Sequence, residues 1–491
     1  MTRVVACSWV DPKRLDDRLD ARAFKPWVLS LTDKCKEFPQ GTMALGSKPE
    51  CLFLARGVGS SRPTPATIAV YKAKEVGEFV IDAPEAFADA CPQTKILHER
   101  DLLLTSSGIG TIGRAALYYA TSPIGVAKAA TVDNHVSIIR LKGDRLLPQY
   151  VCAFLNASPG KAWSEWGTTG STRLLELSVD KVARFRLPVP HRHIQEYVGA
   201  PVDLANRLSA DAVYLRNRAA SALRREWNLD RLEENIARLA RTQAHTIQAD
   251  ILGDRWDADF YQPWHLYIGD ELSLRDCWTL RNLIHPPTKG IQSAYTPDGG
   301  IPALTVTHID PFVIDRRNAS QAVTQQWLEA NQRARIHRDE VLLTVTGPPL
   351  GEAVVVEDFH LPAAVNGDVA RIGLQSAFPY PNLLAAMLNS PLGRWQTSRF
   401  CKGVRQKHLY PDDLLKFRFP KLPVNILPSL EDDFRNACVL LEKARAFVSE
   451  AKANVEALIE GTLDAAAILS GRLNPPTYED LLKTTARKEA Q

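Results

Sequence analysis

Arg18-Leu19-Asp20-Ala21-Arg22-Ala23-Phe24-Lys25-Pro26-Trp27 returns later in the chain as Arg255-Trp256-Asp257-Ala258-Asp259-Phe260-Tyr261-Gln262-Pro263-Trp264, with Arg, Asp, Ala, Pro and Trp recurring at one offset of 237 residues. The echo stays in register. His98, Leu103-Leu104-Thr105 and Gly108 meet His337, Leu342-Leu343-Thr344 and Gly347. Leu155-Asn156, Gly160, Gly170 and Pro190 meet Leu388-Asn389, Gly393, Gly403 and Pro423. So long a period exceeds the ~20–50 residues of a solenoid repeat. It reads as two tandem domains descended from one, a plan suited to reading two different things with one scaffold.

Each half runs through short strand-like stretches, such as Leu102–Thr105 and Val136–Leu141, then Val341–Thr344 and Val354–Val356. Each leaves through prolines, at Leu187-Pro188-Val189-Pro190 and Phe419-Pro420-Lys421-Leu422-Pro423. Proline lacks an N–H and disfavours helix in the residue before it, so a new element begins beyond each exit. There the period changes. Ala205, Leu208, Ala212, Leu215, Ala219 and Ala222 alternate steps of three and four, as do Phe434, Ala437, Leu441, Ala444, Val448, Ala451, Val455 and Leu458. Such a/d seams predict coiled-coil helices, with Leu208, Leu215, Leu441, Val448 and Val455 as the packing residues. A further helical stretch runs through Leu229, Leu232, Ile236 and Leu239.

The expected fold is therefore mixed α/β: two tandem domains separated by long helices that form an antiparallel coiled-coil spacer. The expected boundaries are 1–191 for the first domain, 192–249 for a central helical region, 250–425 for the second domain, 426–470 for the last long helix and 471–491 for a polar tail with no assigned structure. The second seam would span about 36 Å at 1.5 Å per residue, close to the ~34–36 Å of one turn of duplex DNA.

Composition narrows the class. With 45% hydrophobic and 24% charged residues in 491, the chain has the balance of a soluble globular protein. It has no apolar stretch near the ~20 residues of a membrane span and no apolar signal core. Eight cysteines without a C-x-x-C pair make neither a zinc site nor a disulfide framework. The expectation is a cytoplasmic protein with no membrane partner. A net charge of +4 neither demands nor excludes a polyanion, since local patches decide.

Gly108-Ile109-Gly110-Thr111-Ile112-Gly113 follows a strand and fits the dinucleotide-binding pattern. However, Arg114–Tyr119 runs straight into Ser122-Pro123-Ile124-Gly125, leaving little room for a crossover helix, and the second copy reads Gly347-Pro348-Pro349-Leu350-Gly351. A glycine-rich hairpin turn is the better reading; a nucleotide-cofactor enzyme using this motif is the alternative. Asn474-Pro475-Pro476-Thr477-Tyr478 misses the methyltransferase Asn-Pro-Pro-aromatic motif by its intervening Thr. Eleven histidines show no ligand spacing, and neither a G-x-S-x-G elbow nor a P-loop is present. No residue is assigned a catalytic, cofactor or metal role, which favours a binding subunit over an enzyme.

Nucleic-acid contact has better candidates. Arg399, Lys402, Arg405, Lys407 and His408 crowd around Gly403, and the matching stretch of the first half reads Trp166-Gly167-Thr168-Thr169-Gly170-Ser171-Thr172-Arg173. Hydroxyls, cations and glycine-exposed amides position a protein on phosphates, while Arg405 can read guanine and Gln406 adenine. Ser106, Ser107, Thr111 and Arg114 on the first strand-turn, and Thr344 and Thr346 on the second, complete the candidate DNA-binding set, with Thr168, Thr169, Ser171, Thr172 and Arg173.

In this order the motifs resemble the DNA-specificity subunits of type I restriction–modification systems, from about Val10 to Gly461. The resemblance rests on the Arg-Leu-Asp-Ala…Phe-Lys-Pro opening, Leu-Leu-Leu-Thr-Ser-Ser-Gly-Ile-Gly-Thr-Ile-Gly-Arg, Asp133-Asn134-His135-Val136, Leu-Asn-Ala-Ser-Pro-Gly, Gly-Thr-Thr-Gly-Ser-Thr-Arg, and Leu-Pro-Val-Pro before Ile194-Gln195 and a long helix. It implies two target-recognition domains, each reading half of a bipartite site in double-stranded DNA. It further implies constant helices that set the spacer and dock two adenine-N6 methyltransferase subunits, which would hold the S-adenosylmethionine, and a restriction or translocase subunit as a further partner. A related phage-defence system fits equally. A tandem-domain protein scaffold without DNA is the third reading. The second half departs from the pattern at Pro348-Pro349 and at Ile426-Leu427-Pro428, which lacks the Gln of the first.

Overall fold

The computed structural model describes residues 21–57, 61, 68–89, 91, 94–108, 110–120, 129–170, 175–240, 245–248, 251–253, 255–292, 295–296, 300–316, 319 and 321–479. They form two compact units, residues 1–211 with 442–491 and residues 212–441. Each unit contains one copy of the repeat and one half of each long helix, Arg192–Trp227 and Leu427–Glu460.

The main sheets of the two copies match in strand order. In the first unit Cys51–Arg56, Val136–Leu141, Leu102–Thr105 and Ala115–Leu117 form an antiparallel sheet in that spatial order. A second sheet places Ile68–Tyr71 between Ala86–Ala88 and Ala129–Val132, parallel to the latter. In the second unit the same orders are taken by Thr288–Lys289, Val369–Ile372, Val341–Thr344 and Ala353–Val355, and by Ala322–Val323, Ile301–Leu304 and Ala364–Val365. Ile301–Leu304 and Ala364–Val365 are again the parallel pair. Each proline-bearing exit is itself a strand: Arg186–Pro188 pairs with Thr42–Ala44, and Arg418–Pro420 with Cys277–Thr279. Pairing the exit with a strand from the start of the copy closes each domain.

The echoed residues explain the match. Asn156 accepts from the Ala115 N–H at 3.0 Å and donates to the Ala115 carbonyl at 2.7 Å. Asn389 does the same to Ala353, at 3.0 and 2.7 Å. One side-chain amide thereby replaces a missing strand partner, which a buried backbone pair requires. Ahead of each central strand a carboxylate grips an arginine two-handed, Asp101 with Arg140 at 2.7 Å and Glu340 with Arg371 at 2.9 and 2.5 Å. The same carboxylates accept the His98 and His337 N–H groups, both at 2.8 Å. Gly57 and Gly290 are also equivalent. A Cβ there would sit 1.9 Å from the Val132 carbonyl oxygen or 2.3 Å from that of Val365, so only glycine lets these backbones meet.

The helices are legible too. All fourteen seam positions are buried or half-buried. Their partners are partly the units' own cores. Ala451, Val455 and Leu458 join Tyr150, Phe154 and Trp163 in the first unit, with Val448 packed against that core. Ala219, Leu223, Trp227 and Phe434 join Phe417 and Phe419 in the second. Leu208 is buried, and Leu215 and Leu441 are half-buried. Within the second unit Arg218 pairs with Asp433, and the Trp227 indole donates to the Pro420 carbonyl at 2.9 Å, so the helix halves there run antiparallel. The first long helix stops at Asn228, whose φ of +54° is a left-handed conformation that asparagine tolerates. Leu229–Leu239 follows as the expected further helix.

Two findings exceed the sequence reading. The second copy has an equivalent of Gln195 after all. Gln195 accepts from the Leu147 N–H at 2.9 Å at the start of helix Pro148–Asn156, and Glu431 accepts from the Leu383 N–H at 2.8 Å at the start of Pro381–Asn389. The tail is also pinned: Tyr478 donates to Asp211 at 2.6 Å, and the Arg207 guanidinium lies 3.5 Å over its ring.

Removing the strand-completing amide leaves the Ala353 N–H and carbonyl unpaired in the second unit, but only the Ala115 N–H in the first, where the carbonyl still accepts from the Phe79 N–H at 2.9 Å. Each unpaired group costs about 1–3 kcal/mol. Asn156→Ala should therefore destabilise the chain by roughly 1–3 kcal/mol in chemical denaturation, and Asn389→Ala by roughly 2–6 kcal/mol. A loss under about 0.5 kcal/mol, the size of an ordinary surface substitution, would show that water takes over the amide's role.

Candidate nucleic-acid interface

In each copy a helix, Ser158–Gly167 or Pro391–Phe400, delivers the chain to a loop that docks beside the turn of the central hairpin. Gly108–Gly113 lies in the turn joining antiparallel strands Leu102–Thr105 and Ala115–Leu117, with positive φ at Gly108, Gly110 and Gly113. A strand rather than the crossover helix of a dinucleotide site follows it, in keeping with the hairpin-turn reading. Gly347–Gly351 makes the equivalent turn between Val341–Thr344 and Ala353–Val355.

The second unit's basic loop is a small hairpin. Lys402 and His408 exchange both backbone hydrogen bonds, at 2.8 and 2.7 Å, while Gly347 N–H donates to the Lys407 carbonyl at 3.1 Å. Gly403 has φ +110°, and a Cβ there would lie 2.1 Å from the Gln406 carbonyl oxygen, so the sharp return needs glycine. Val404 at the tip is 99% exposed. Arg405 and Gln406 beside it are exposed. The side chains flanking the tip are committed: Lys402 to Asp413 at 2.7 Å, Lys407 to Asp259 at 2.9 Å, and the His408 ring to Thr346 Oγ1 at 3.2 Å. Burial pushes the Asp413 carboxyl up, but Lys402 and Lys416 outweigh it and hold the group below its ordinary value.

Several expected contacts are corrected by burial. Arg399 packs its guanidinium 4.7 Å over the Phe260 ring and 5.8 Å over that of Phe400; desolvation lowers its pKa, and it braces the domain rather than facing solvent. Thr344 is buried and accepts from the Glu352 N–H at 2.9 Å, and Thr346 is buried against His408. In the first unit Ser106 is buried against Ser137 Oγ at 2.6 Å, and buried Thr168 donates to the Ser164 carbonyl at 2.6 Å. These hydroxyls are engaged in hydrogen bonds within their own unit.

Around the first turn Ser107 pairs with His135 Nδ1 at 2.5 Å, Thr111 donates to the Ser107 carbonyl at 3.2 Å, and Arg114 donates to the Gly110 carbonyl at 2.8 Å. These three are half-buried, and Thr169 is exposed. Arg56, which nothing in the motifs marked, pairs with Glu176 and donates to the Leu177 carbonyl at 2.9 Å. Ser171, Thr172 and Arg173 lie outside the described residues.

The opening motif of the second copy forms the base of the basic hairpin. Arg255 donates to the carbonyls of Phe400 and Cys401, both at 3.1 Å, where helix Pro391–Phe400 ends. In the first copy Lys25 reaches Glu165 of the equivalent helix at 2.6 Å. A cleft of about 520 Å³ opens beneath the basic hairpin, lined by Gln262, Trp264, His265, Arg394 and Lys407 among others. His265 Nδ1 lies 2.7 Å from the Asp259 carbonyl and so carries the proton, while its buried Nε2 has no hydrogen-bond partner among the described residues. Burial pushes this imidazole from its ordinary 6.5 down to about 4.

The chain matches no family model and no curated protein. It is similar to solved structures of type I restriction–modification S subunits. The S subunit from M. genitalium is 10% identical, with a TM-score of 0.38 over 86% of this chain and 95% of that one. The HsdS subunit from Thermoanaerobacter tengcongensis is 13% identical, with a TM-score of 0.29 over 87% and 100%. A structure concerned with complex assembly and conformational transition of the type I R-M system is 12% identical, with a TM-score of 0.27 over 86% and 98%. Among the described residues no helix is long and apolar enough to cross a membrane.

The depressed His265 pKa carries a definite sign. The folded protein holds the neutral ring, so its contribution is intact above pH 6.5 and is lost as pH falls toward about 4. Stability should decline across that window, and His265→Gln should flatten the decline in denaturation measured from pH 7 to pH 4. An unchanged pH profile would mean that the ring protonates without cost.

Proposed function

We propose that this chain is a sequence-specific, non-catalytic DNA-recognition subunit, in which each copy of the repeat reads one half of a bipartite duplex site. The observation that carries the reading is the contrast between skeleton and surface. Strand order, the strand-completing asparagines and the carboxylate–arginine grips recur in both units, while the docked loops differ in chemistry. One loop carries hydroxyls over a glycine turn; the other is a basic hairpin whose tip offers Val404, Arg405 and Gln406. An apolar residue, an Arg and a Gln are the side-chain types that meet the thymine methyl, guanine and adenine in a major groove. Lys402 and Lys407, held by acidic partners, suit phosphate positioning.

In this proposal adenine-N6 methylation belongs to two partner methyltransferase subunits docked on the long helices, and S-adenosylmethionine binds there. The helices fix the spacing of the half-sites, and a restriction or translocase subunit joins the complex, or the assembly serves a related phage-defence system.

The test is co-expression with a type I methyltransferase subunit, followed by a genome-wide map of methylated adenines. A bipartite motif is expected. Exchanging residues of about 20–190 for the equivalent of another specificity subunit should change one half of that motif and leave the other. Methylation without a sequence motif, or a change in both halves, would overturn the two-reader arrangement. Within the second half, Arg405→Ala should relax the motif at one base pair, at a cost of about 1–3 kcal/mol. Lys402→Ala should weaken binding to all sequences alike. Arg399→Ala should lower stability rather than alter the motif.

A further inference from the structure

Trp256 is 83% exposed, yet the residues on either side of it are fixed. Arg255 pairs with Asp257 at 2.8 Å, lies 4.5 Å over the Phe260 ring, and has its carbonyl held by the Tyr261 hydroxyl at 2.9 Å. The Asp257 carbonyl accepts from the Phe260 N–H at 3.2 Å. A rigid frame thus presents an indole that makes no hydrogen bond or ring contact among the described residues. Tryptophan dominates contact energies by the area it buries, so one held in water beside a candidate interface marks a contact made with something else.

Its surroundings identify the partner chemistry. The segment 255–259 runs along the base of the basic hairpin, joined to it at Cys401 through Arg255 and at Lys407 through Asp259. Both acids of the segment are paired, Asp257 with Arg255 and Asp259 with Lys407. The same hairpin carries Lys402, paired with Asp413 at 2.7 Å, and the exposed Arg405 near its tip. An aromatic ring among cations, with the nearby carboxylates already engaged, fits a polyanion that carries flat apolar rings. Nucleic acid is that polymer: apolar side chains wedge between base steps of a duplex, and base–aromatic stacking tolerates any sequence.

We propose that Trp256 inserts its indole at a base step beside the recognition hairpin, anchoring the second unit on DNA independently of sequence. The inference rests on the DNA-recognition reading and adds to it a residue that supplies affinity rather than specificity. Preorganisation by Arg255 and Asp257 means that little ordering is needed when the contact forms.

The test uses the full-length chain and a pool of random-sequence duplexes, with retention measured at several salt concentrations for the wild type, Trp256→Ala, Trp256→Phe and Lys402→Ala. Trp256→Ala should weaken binding by about ten-fold, within the roughly five- to hundred-fold range of base–aromatic stacking. The dependence on salt should stay unchanged, because no phosphate contact is lost. Trp256→Phe should recover most of the affinity, and tryptophan emission should be quenched by duplex in the wild type and less so in Trp256→Phe. Lys402→Ala, by contrast, should flatten the salt dependence, because it removes a phosphate contact. Wild-type affinity and quenching in both Trp256 variants would overturn this inference and leave the DNA reading intact. Salt-independent or absent duplex binding by the wild type would overturn the DNA reading itself, and this inference with it. A Trp256→Ala chain that keeps duplex affinity but no longer retains a methyltransferase subunit would make the indole a protein contact and overturn the inference.

Discussion

The first unit does not close its hydrophobic core with a continuous stretch of chain, and both units draw on the long helices for core residues. Ala451, Val455 and Leu458, near the end of the last long helix, fill the core built by residues 35–202, and Ala219, Leu223 and Trp227 fill that of the second unit. A fully buried Val or Leu contributes roughly 1.5–3 kcal/mol, and a domain's whole stability is only about 5–15 kcal/mol. The two or three side chains lent by each helix half are therefore a large fraction of what keeps each unit folded. The helices cannot be a passive linker: whatever else they do, they are structural parts of the domains they connect. Lys452 to Glu78, Lys34 to Glu460 at 2.7 Å and Ser158 to Glu456 tie the same helix to the first copy at its polar edge.

That dual use explains what the sequence shows and what it hides. The a/d seams were legible because burial imposes a period on any helix, and all the predicted positions are at least half-buried. A seam names no partner, however, so the same pattern serves Val455 in a domain core and Leu441 on a half-buried flank equally well. The hairpin turn at Gly108–Gly113 was legible because its second copy lost the glycine spacing but kept the turn. Glu431 is hidden in the sequence because it is neither an amide nor at the helix position of Gln195. The bond needs only an acceptor in space, which a carboxylate supplies from elsewhere on the helix.

The site itself was half legible. Cations and glycine around position 403 marked the loop, but spacing alone could not separate Arg399 from Arg405. The difference is made by Phe260, 139 residues away in the chain, which draws the Arg399 guanidinium onto its ring. Likewise a run of hydroxyls looks uniform in sequence. In the fold Thr168 follows its helix and bonds back to Ser164, whereas Thr169 faces solvent. Local motif reading overcounts contact residues because a loop needs some of its polar groups to hold its own shape.

What remains at the surface after that subtraction is small and ordered by role. Lysines held by acids are fixed in position but partly neutralised, which suits them to placing a backbone and not to discriminating among bases. Arg405 and Gln406 stand on a hairpin fixed by two strand-type hydrogen bonds and a glycine that admits no side chain. Recognition needs that combination: a rigid mount limits the geometries in which a bidentate contact can form, and a free side chain keeps its hydrogen-bonding capacity for the base. On the proposed reading, the duplicated skeleton lets the two copies diverge in what they read without either having to rebuild its scaffold.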